Sequence, residues 1–282
     1  MTSPLPPDGP AGSVGCGFRP SAEEIAAFRR DGVVCLRGAL SPEWMTTIET
    51  AIDAVLAAPS DGGKFADPER RGFFQDANNW QRIPELGDFV WHSPAAIIAA
   101  DLLGSSKINF LQDHILVKEP NTEKPTLWHQ DQPYSPIDGR DFVSMWIAVD
   151  PVPLERSLRF VRGSHAADLW YRPRNFSNGT LRAGDDPRWA TLPDVDADPE
   201  LYPVLSWAVE PGDIVAFHGL TLHGAAGNTS ASARRRVLSA RWTGKDARFM
   251  RRNGPMSPPP PATGAPADGA PVDCPAFPVI LG

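Results

Sequence analysis

Beyond Lys107 the chain breaks into short β-prone runs separated by turn residues, and this rhythm most limits what it can fold into. The runs are Ile108 to Lys118, Phe142 to Val149, Leu158 to Val161, Val204 to Val209, Asp213 to His218 and Arg235 to Trp242. Asp138-Gly139 and Pro211-Gly212-Asp213 supply turn chemistry between them. Upstream the signals are helical. Ser21 with Glu24 is a capping box for a short helix through Phe28, stopping near Asp31-Gly32, before a strand at Val33 to Arg37. Ser41-Pro42 opens a second helix, along which Trp44, Met45, Ile48, Ile52, Val55 and Leu56 recur at helical spacing. Ser93-Pro94 opens a third, closed by Gly104. Helices first and many short strands afterwards predict an α+β chain whose all-β core closes as a sandwich or jelly roll.

At 282 residues the chain is long enough to bury a full core as one domain. A net charge of −7 gives no electrostatic case for nucleic acid, and no apolar run approaches the ~20 residues that cross a bilayer. Cys16, Cys35 and Cys274 are scattered and odd in number, which favours a reducing compartment. A soluble, cytoplasmic protein is expected. Residues 1–17 read as a flexible leader, 18–105 as mainly helical, 106–245 as the β core and 246–282 as an extended, proline-rich tail draped over it. Within the core, residues 166–203 have little periodicity and carry Trp170, Tyr171, Trp189 and several arginines, so a lid-like insert is expected there.

Chemistry concentrates at Trp128-His129-Gln130-Asp131. On an extended segment, side chains two apart share a face, so His129 and Asp131 point the same way. Alone such a pair is weak evidence, because half-buried strands carry them for hydrogen bonding. A further imidazole, His223, follows a strongly β-prone run and would complete the two-histidine, one-carboxylate set of non-haem Fe(II) oxygenases. The run Arg234-Arg235-Arg236 adds a guanidinium, which suits the far carboxylate of a 2-oxoglutarate-type cosubstrate. Arg234, eleven residues after His223, is the expected anchor, with Arg236 as the alternative of the same parity; at least one of the three is a solvated charge.

These motifs resemble the phytanoyl-CoA dioxygenase family of Fe(II)/2-oxoglutarate-dependent oxygenases. The resemblance is carried by Gln112-Asp113-His114 to Lys118-Glu119-Pro120, Trp128 to Asp131, Phe160 to His165, Pro211-Gly212-Asp213 with His218 to Asn228, and Arg234 through Gly244. It runs from about Phe18 to Arg252. It implies a double-stranded β-helix (cupin-like jelly roll) with the N-terminal helices packed on one sheet. It implies His129, Asp131 and His223 as iron ligands, Arg234 as the cosubstrate anchor, and Gln112 and Trp146 as cosubstrate-pocket residues. By the same resemblance the Gly163-Ser164-His165 turn is structural; His218 reads as a supporting or core residue. The chain departs from the family pattern at Arg156-Ser157, where members commonly carry Asn-Gly, so the turn there is expected to differ.

The resemblance implies an enzyme that uses Fe(II), 2-oxoglutarate and O2 to hydroxylate a C–H bond of a small or medium-sized metabolite, releasing succinate and CO2. Related halogenases lack the metal carboxylate, so Asp131 favours hydroxylation, with desaturation or ring closure open to the same chemistry. His114, Tyr134 and Arg241 are the candidate substrate contacts, with Arg241 pointing to an anionic group; Trp80, Trp170 and Tyr171 are further candidates for the pocket wall. Two rival readings are a mononuclear Zn or Mn hydrolase on the same ligands and a non-catalytic jelly-roll binding module.

Overall fold

Ser21 accepts the Glu24 amide while the Glu24 carboxylate accepts the Ser21 amide, and this box starts helix α1 (Ala22–Asp31) in the computed structural model. Gly32 ends it with φ of 78°, a left-handed conformation that side chains with a Cβ resist. The structure describes residues 17–66, 69–70 and 72–282; the expected leader, apart from Gly17, lies outside these residues, as does Cys16.

Strand β1 (Val33–Leu36) follows, then α2 (Pro42–Ala57), β2 (Lys64–Phe65) and β3 (Phe73–Ala77). Helices α3 (Pro84–His92) and α4 (Ala95–Leu103) complete the helical part. The core then supplies β4 (Ile108–Lys118), β5 (Thr126–His129), β6 (Ile137–Asp138), β7 (Phe142–Ala148) and β8 (Leu158–Val161). Short strands β9 (Trp170–Tyr171) and β10 (Trp189–Ala190) lie in the insert, ahead of β11 (Val204–Leu205). Strands β12 (Ile214–His218), β13 (His223–Ala225) and β14 (Arg235–Thr243) finish the core. The tail carries β15 (Arg248–Phe249) and β16 (Val279–Leu281).

The larger sheet has the order β1-β12-β7-β14-β4-β3-β2, with β16 added on β4; the smaller runs β11-β8-β13-β5. Together they form a jelly roll. Alternation sets what each face buries. Val143, Met145 and Ile147 of β7 and Leu238, Ala240 and Trp242 of β14 pack against α1 to α4. On the other face Trp146, Ala148, Val215, Phe217 and Val237 meet Leu158 and Phe160 of the smaller sheet. Between the strands the chain changes sheet at Gly219–Leu222: His218 ends β12 in the larger sheet and His223 begins β13 in the smaller. The imidazole of His218 pins this corner, its Nε2 2.8 Å from the Arg140 carbonyl and its Nδ1 accepting the Leu220 amide at 3.0 Å.

Several elements differ from the sequence reading. Helix α3 was not expected, although Pro84 at its first turn and Leu86, Phe89 and Val90 on its buried face carry the signal. Only Val204–Leu205 of the expected 204–209 strand pairs with β8, while Val209 bridges Val152. Residues 154–156 form a 3-10 turn at the departure from the family pattern. The tail does more than drape, because Val279 and Leu281 pair with Asn109 and Ile108 of β4. No helix among the described residues is long and apolar enough to cross a membrane.

The helix-facing layer is dense around Phe110, whose ring meets Trp242 at 4.8 Å and Trp80 at 5.8 Å edge-on. Phe110→Ala should therefore cost ~3–5 kcal/mol of unfolding free energy, read by urea denaturation. A loss within ~0.5 kcal/mol would mean this layer does not hold the sheet.

Candidate metal centre and its cavities

His129 and His223 are directly opposed partners on antiparallel β5 and β13, which places both rings on one face of the smaller sheet. Asp131 stands two residues past His129, where the chain turns into a 3-10 segment (Gln132–Tyr134). Oδ1 of Asp131 lies 3.6 Å from His129 Nε2 and 3.9 Å from His223 Nε2, and one ligand atom from each residue falls within 4.8 Å of the others. A single ion with bonds near ~2.1 Å can bridge these spacings.

The protonation pattern fits a metal. His129 Nδ1 lies 2.7 Å from the Leu127 carbonyl, and His223 Nδ1 2.9 Å from the Thr221 carbonyl. A ring nitrogen facing a carbonyl must donate, so the proton sits on Nδ1 and the Nε2 lone pair faces Asp131. Burial, then the neighbouring His129, pushes His223 down to about 3, so it stays neutral and able to ligate. His218 has the opposite tautomer, since its Nδ1 accepts an amide hydrogen. His165 Nε2 lies 3.2 Å from the Arg29 carbonyl, remote from the three candidate ligands.

The carboxylate is held from behind. Arg241 donates Nε to Oδ2 and Nη2 to Oδ1 of Asp131, both at 3.0 Å, and the Ser144 hydroxyl donates to Oδ2 at 2.6 Å. Oδ2 is thereby committed to protein donors, and Oδ1 is the oxygen turned toward the two imidazoles. Burial alone would raise the Asp131 carboxyl, but the Arg241 guanidinium outweighs it and holds it well below the usual range. Arg241 Nη1 donates to Gln112 Oε1 at 2.7 Å, and Gln112 in turn donates to Asn78 and to Ser257 of the tail. Gln112 and Arg241, expected to touch cosubstrate and substrate respectively, form a relay that sets the carboxylate. Gln130 faces the opposite way and binds the Leu169 and Leu220 carbonyls, joining the insert to the sheet corner.

Two cavities meet at His129 and Asp131, and His223 lines the inner one. The inner one runs between the sheets past Trp146, Thr126, Lys118 and Arg235. The outer one, about 400 Å³, opens past Tyr134, Phe176, Arg182 and the tail at Pro255 to Ser257. His114 lines both, as a neutral imidazole that burial, then Arg241, pushes down to about 3. Tyr134 also lines the outer cavity, its hydroxyl exchanging hydrogen bonds with the Arg174 backbone at 2.8 and 2.9 Å. Trp170 and Tyr171 pair with β10 instead, and Trp80 packs on Phe110.

The three arginines of the 234–236 run go to different places, and the expected anchor Arg234 lines neither cavity. Arg234 is 47% exposed and forks onto Glu119 at 2.6 and 2.7 Å; Arg236 turns to the helix side and pairs with Asp150 and Glu49. Arg235 shares the parity of Val237, Ser239 and Arg241, all of which line the inner cavity, and is 6% exposed. Its guanidinium donates to the Arg156 carbonyl at the turn where the chain departs from the family pattern, and meets no carboxylate among the described residues. Burial, then Arg156, pushes it down to about 10. Beside it Lys118, lowered by burial and then by Arg235, reaches the Lys124 and Ala226 carbonyls, lies 4.6 Å over the Phe73 ring and meets no carboxylate among the described residues.

Comparison with known proteins accords with this geometry. The profile of the phytanoyl-CoA dioxygenase (PhyH) family matches residues 28–237. A probable phytanoyl-CoA dioxygenase of Caenorhabditis elegans is 26% identical over 222 residues, spanning 76% of this chain and 66% of that protein. The structure superposes on the non-haem α-ketoglutarate-dependent carbocyclase SnoK of nogalamycin biosynthesis with a TM-score of 0.70 and 27% identity, covering 92% of this chain and 96% of that one. The epimerase SnoN, solved with Fe3+, α-ketoglutarate and nogalamycin RO, shares the fold at a TM-score of 0.71 and 23% identity, over 92% and 97% of the two chains. Fold and site together define a non-haem iron, 2-oxoglutarate-dependent dioxygenase. The chain belongs to the phytanoyl-CoA dioxygenase family.

Because Asp131 faces a buried guanidinium, Asp131→Ala should strand Arg241 and cost the metal-free protein ~3–5 kcal/mol. Adding Arg241→Met should recover much of that loss in chemical denaturation. A single variant as stable as wild type, or a double variant worse than the single, would contradict the ion pair's place in the site.

Proposed function

We propose that the enzyme hydroxylates a C–H bond of a small or medium-sized metabolite while converting 2-oxoglutarate to succinate and CO2. His129, Asp131 and His223 would hold the iron, through the Nε2 atoms and Oδ1. Bound there, ferrous iron and 2-oxoglutarate supply the activation of dioxygen. The chain's own residues do the rest. Arg241 and Ser144 fix the carboxylate so that one oxygen faces the metal position. Two buried cations at the end of the inner cavity, Arg235 and Lys118, lack a carboxylate and would take the distal carboxylate of the cosubstrate. Thr126 lies on the same wall. The aromatic walls, Trp146 within and Phe176 beside His129 at 4.7 Å, exclude water around the reacting groups.

The observation that carries this reading is the pairing of three convergent ligand atoms with an adjacent cavity ending in unmatched positive charge. A hydrolase using the same ligands has no need of that buried pair. The intact carboxylate ligand favours hydroxylation over halogenation, and the same centre also suits ring closure of the kind named for SnoK. His114 and Tyr134 would face the substrate in the outer cavity.

Arg235→Gln should raise the 2-oxoglutarate concentration for half-maximal succinate release by roughly 10- to 100-fold, the worth of hydrogen bonds to a charged group. Arg234→Gln should leave it unchanged. The reverse pattern would return the anchor to Arg234, and loss of the 2-oxoglutarate requirement from both would remove the cosubstrate from this cavity. Mass spectrometry of metabolite extracts incubated with the enzyme should show products carrying one added oxygen atom; products lighter by two hydrogens would instead assign desaturation or cyclisation.

A further inference from the structure

If 2-oxoglutarate occupies the inner cavity, as proposed above, the outer cavity carries a second imbalance of charge that the cosubstrate does not resolve. Its acids are already matched. Asp76 accepts the Ser60 amide at 2.8 Å, the Ser60 hydroxyl at 2.5 Å and its neighbour's amide at 2.8 Å, with Arg82 3.7 Å away. Asp131 is committed to Arg241 and Ser144.

The cations are not matched. Lys64, exposed on β2 at the rim, has no side-chain ion pair or hydrogen bond among the described residues. Arg182, on the insert, donates to the Pro255 carbonyl at 3.2 Å and lies 4.6 Å over the Tyr134 ring. It meets no carboxylate among the described residues, and its Nε is buried without a partner. A guanidinium drawn partly out of water with no counter-charge is costly, and a ligand that brings the charge removes that cost. Tyr134 beneath Arg182 and the parallel ring of Phe176, centroids 5.8 Å and planes 10° apart, put apolar surface on the same cavity.

We propose that the substrate carries an anionic group, a carboxylate or a phosphate, which Arg182 and Lys64 bind in the outer cavity while its apolar body lies on the Tyr134–Phe176 stack. Arg241, the sequence's first candidate for this role, is spent on Asp131. Both cations line the outer cavity, one from the β2–β3 hairpin and one from the insert, so an anion bound by both would join the insert to the core.

The test uses the full chain with Fe(II) and saturating 2-oxoglutarate under anaerobic conditions, so the inner cavity is filled and no turnover occurs. Benzoate, phenyl phosphate and benzamide are titrated by calorimetry. At least one of the two anions should bind roughly 10- to 100-fold more tightly than the amide, and the tighter one identifies the group. Lys64→Gln and Arg182→Gln should each erase most of that preference, while Arg182→Lys keeps part of it. None of these changes should move the 2-oxoglutarate affinity. Benzamide binding as well as both anions, no binding by any probe at millimolar concentration, or an anion preference intact in Lys64→Gln and Arg182→Gln would overturn the proposal. Failure of 2-oxoglutarate itself to bind would instead overturn the reading of the inner cavity.

Discussion

The two-residue alternation of the large sheet, with both faces buried, governs everything else in the molecule. Strands β7 and β14 present one apolar face to the helices, and that face must be filled by Val143, Met145, Ile147, Leu238, Ala240 and Trp242. Once those positions are fixed, Arg235, Val237, Ser239 and Arg241 have no other side to occupy than the interior between the sheets. A slip by one residue would send a guanidinium into the helix layer and a tryptophan into the cavity. The hydrophobic effect therefore chooses the polar lining of the site, although Arg235, Ser239 and Arg241 themselves contribute little to it.

Within that frame the candidate ligands are set by groups that never touch the metal position. Backbone carbonyls choose the histidine tautomers, Arg241 holds both oxygens of Asp131, and the extra donor Ser144 on Oδ2 leaves Oδ1 as the oxygen turned toward the imidazoles. The relay continues through Gln112 to Ser257, so the tail is coupled to the centre of the site and also walls the outer cavity. Asp131 is neutralised inside the protein by Arg241, whereas Arg235, Lys118 and Arg182 reach backbone carbonyls and meet no carboxylate among the described residues.

Much of this was legible in the sequence. The capping box at Ser21, the Ser41-Pro42 helix start and the Gly104 stop are local signals, and local signals survive folding. Strands β4 and β8 matched their expected limits because each is bounded by turn chemistry. His129, Asp131 and His223 could be singled out by residue type and by resemblance, and the structure brings them together. Which of the three arginines turns into the cavity could not be read from the distance to His223, because the loop between β13 and β14 sets no parity. The alternation Leu238, Ala240, Trp242 did contain that parity, and read against it Arg235 is the inward residue. Partners distant in sequence were not legible at all: nothing local shows that Arg241 would find Asp131, or that Met256 and Ser257 would return to the cavity mouth.

The central claim is that His129, Asp131 and His223 hold one iron beside a bound keto acid. Anaerobic titration of the metal-free protein with Fe(II) in excess 2-oxoglutarate tests it most directly, followed by the visible charge-transfer absorption of a chelated keto acid. The account predicts that absorption to saturate at one equivalent of iron and to vanish in His223→Ala. An absorption unchanged in that variant, or none in the wild-type chain, would contradict it.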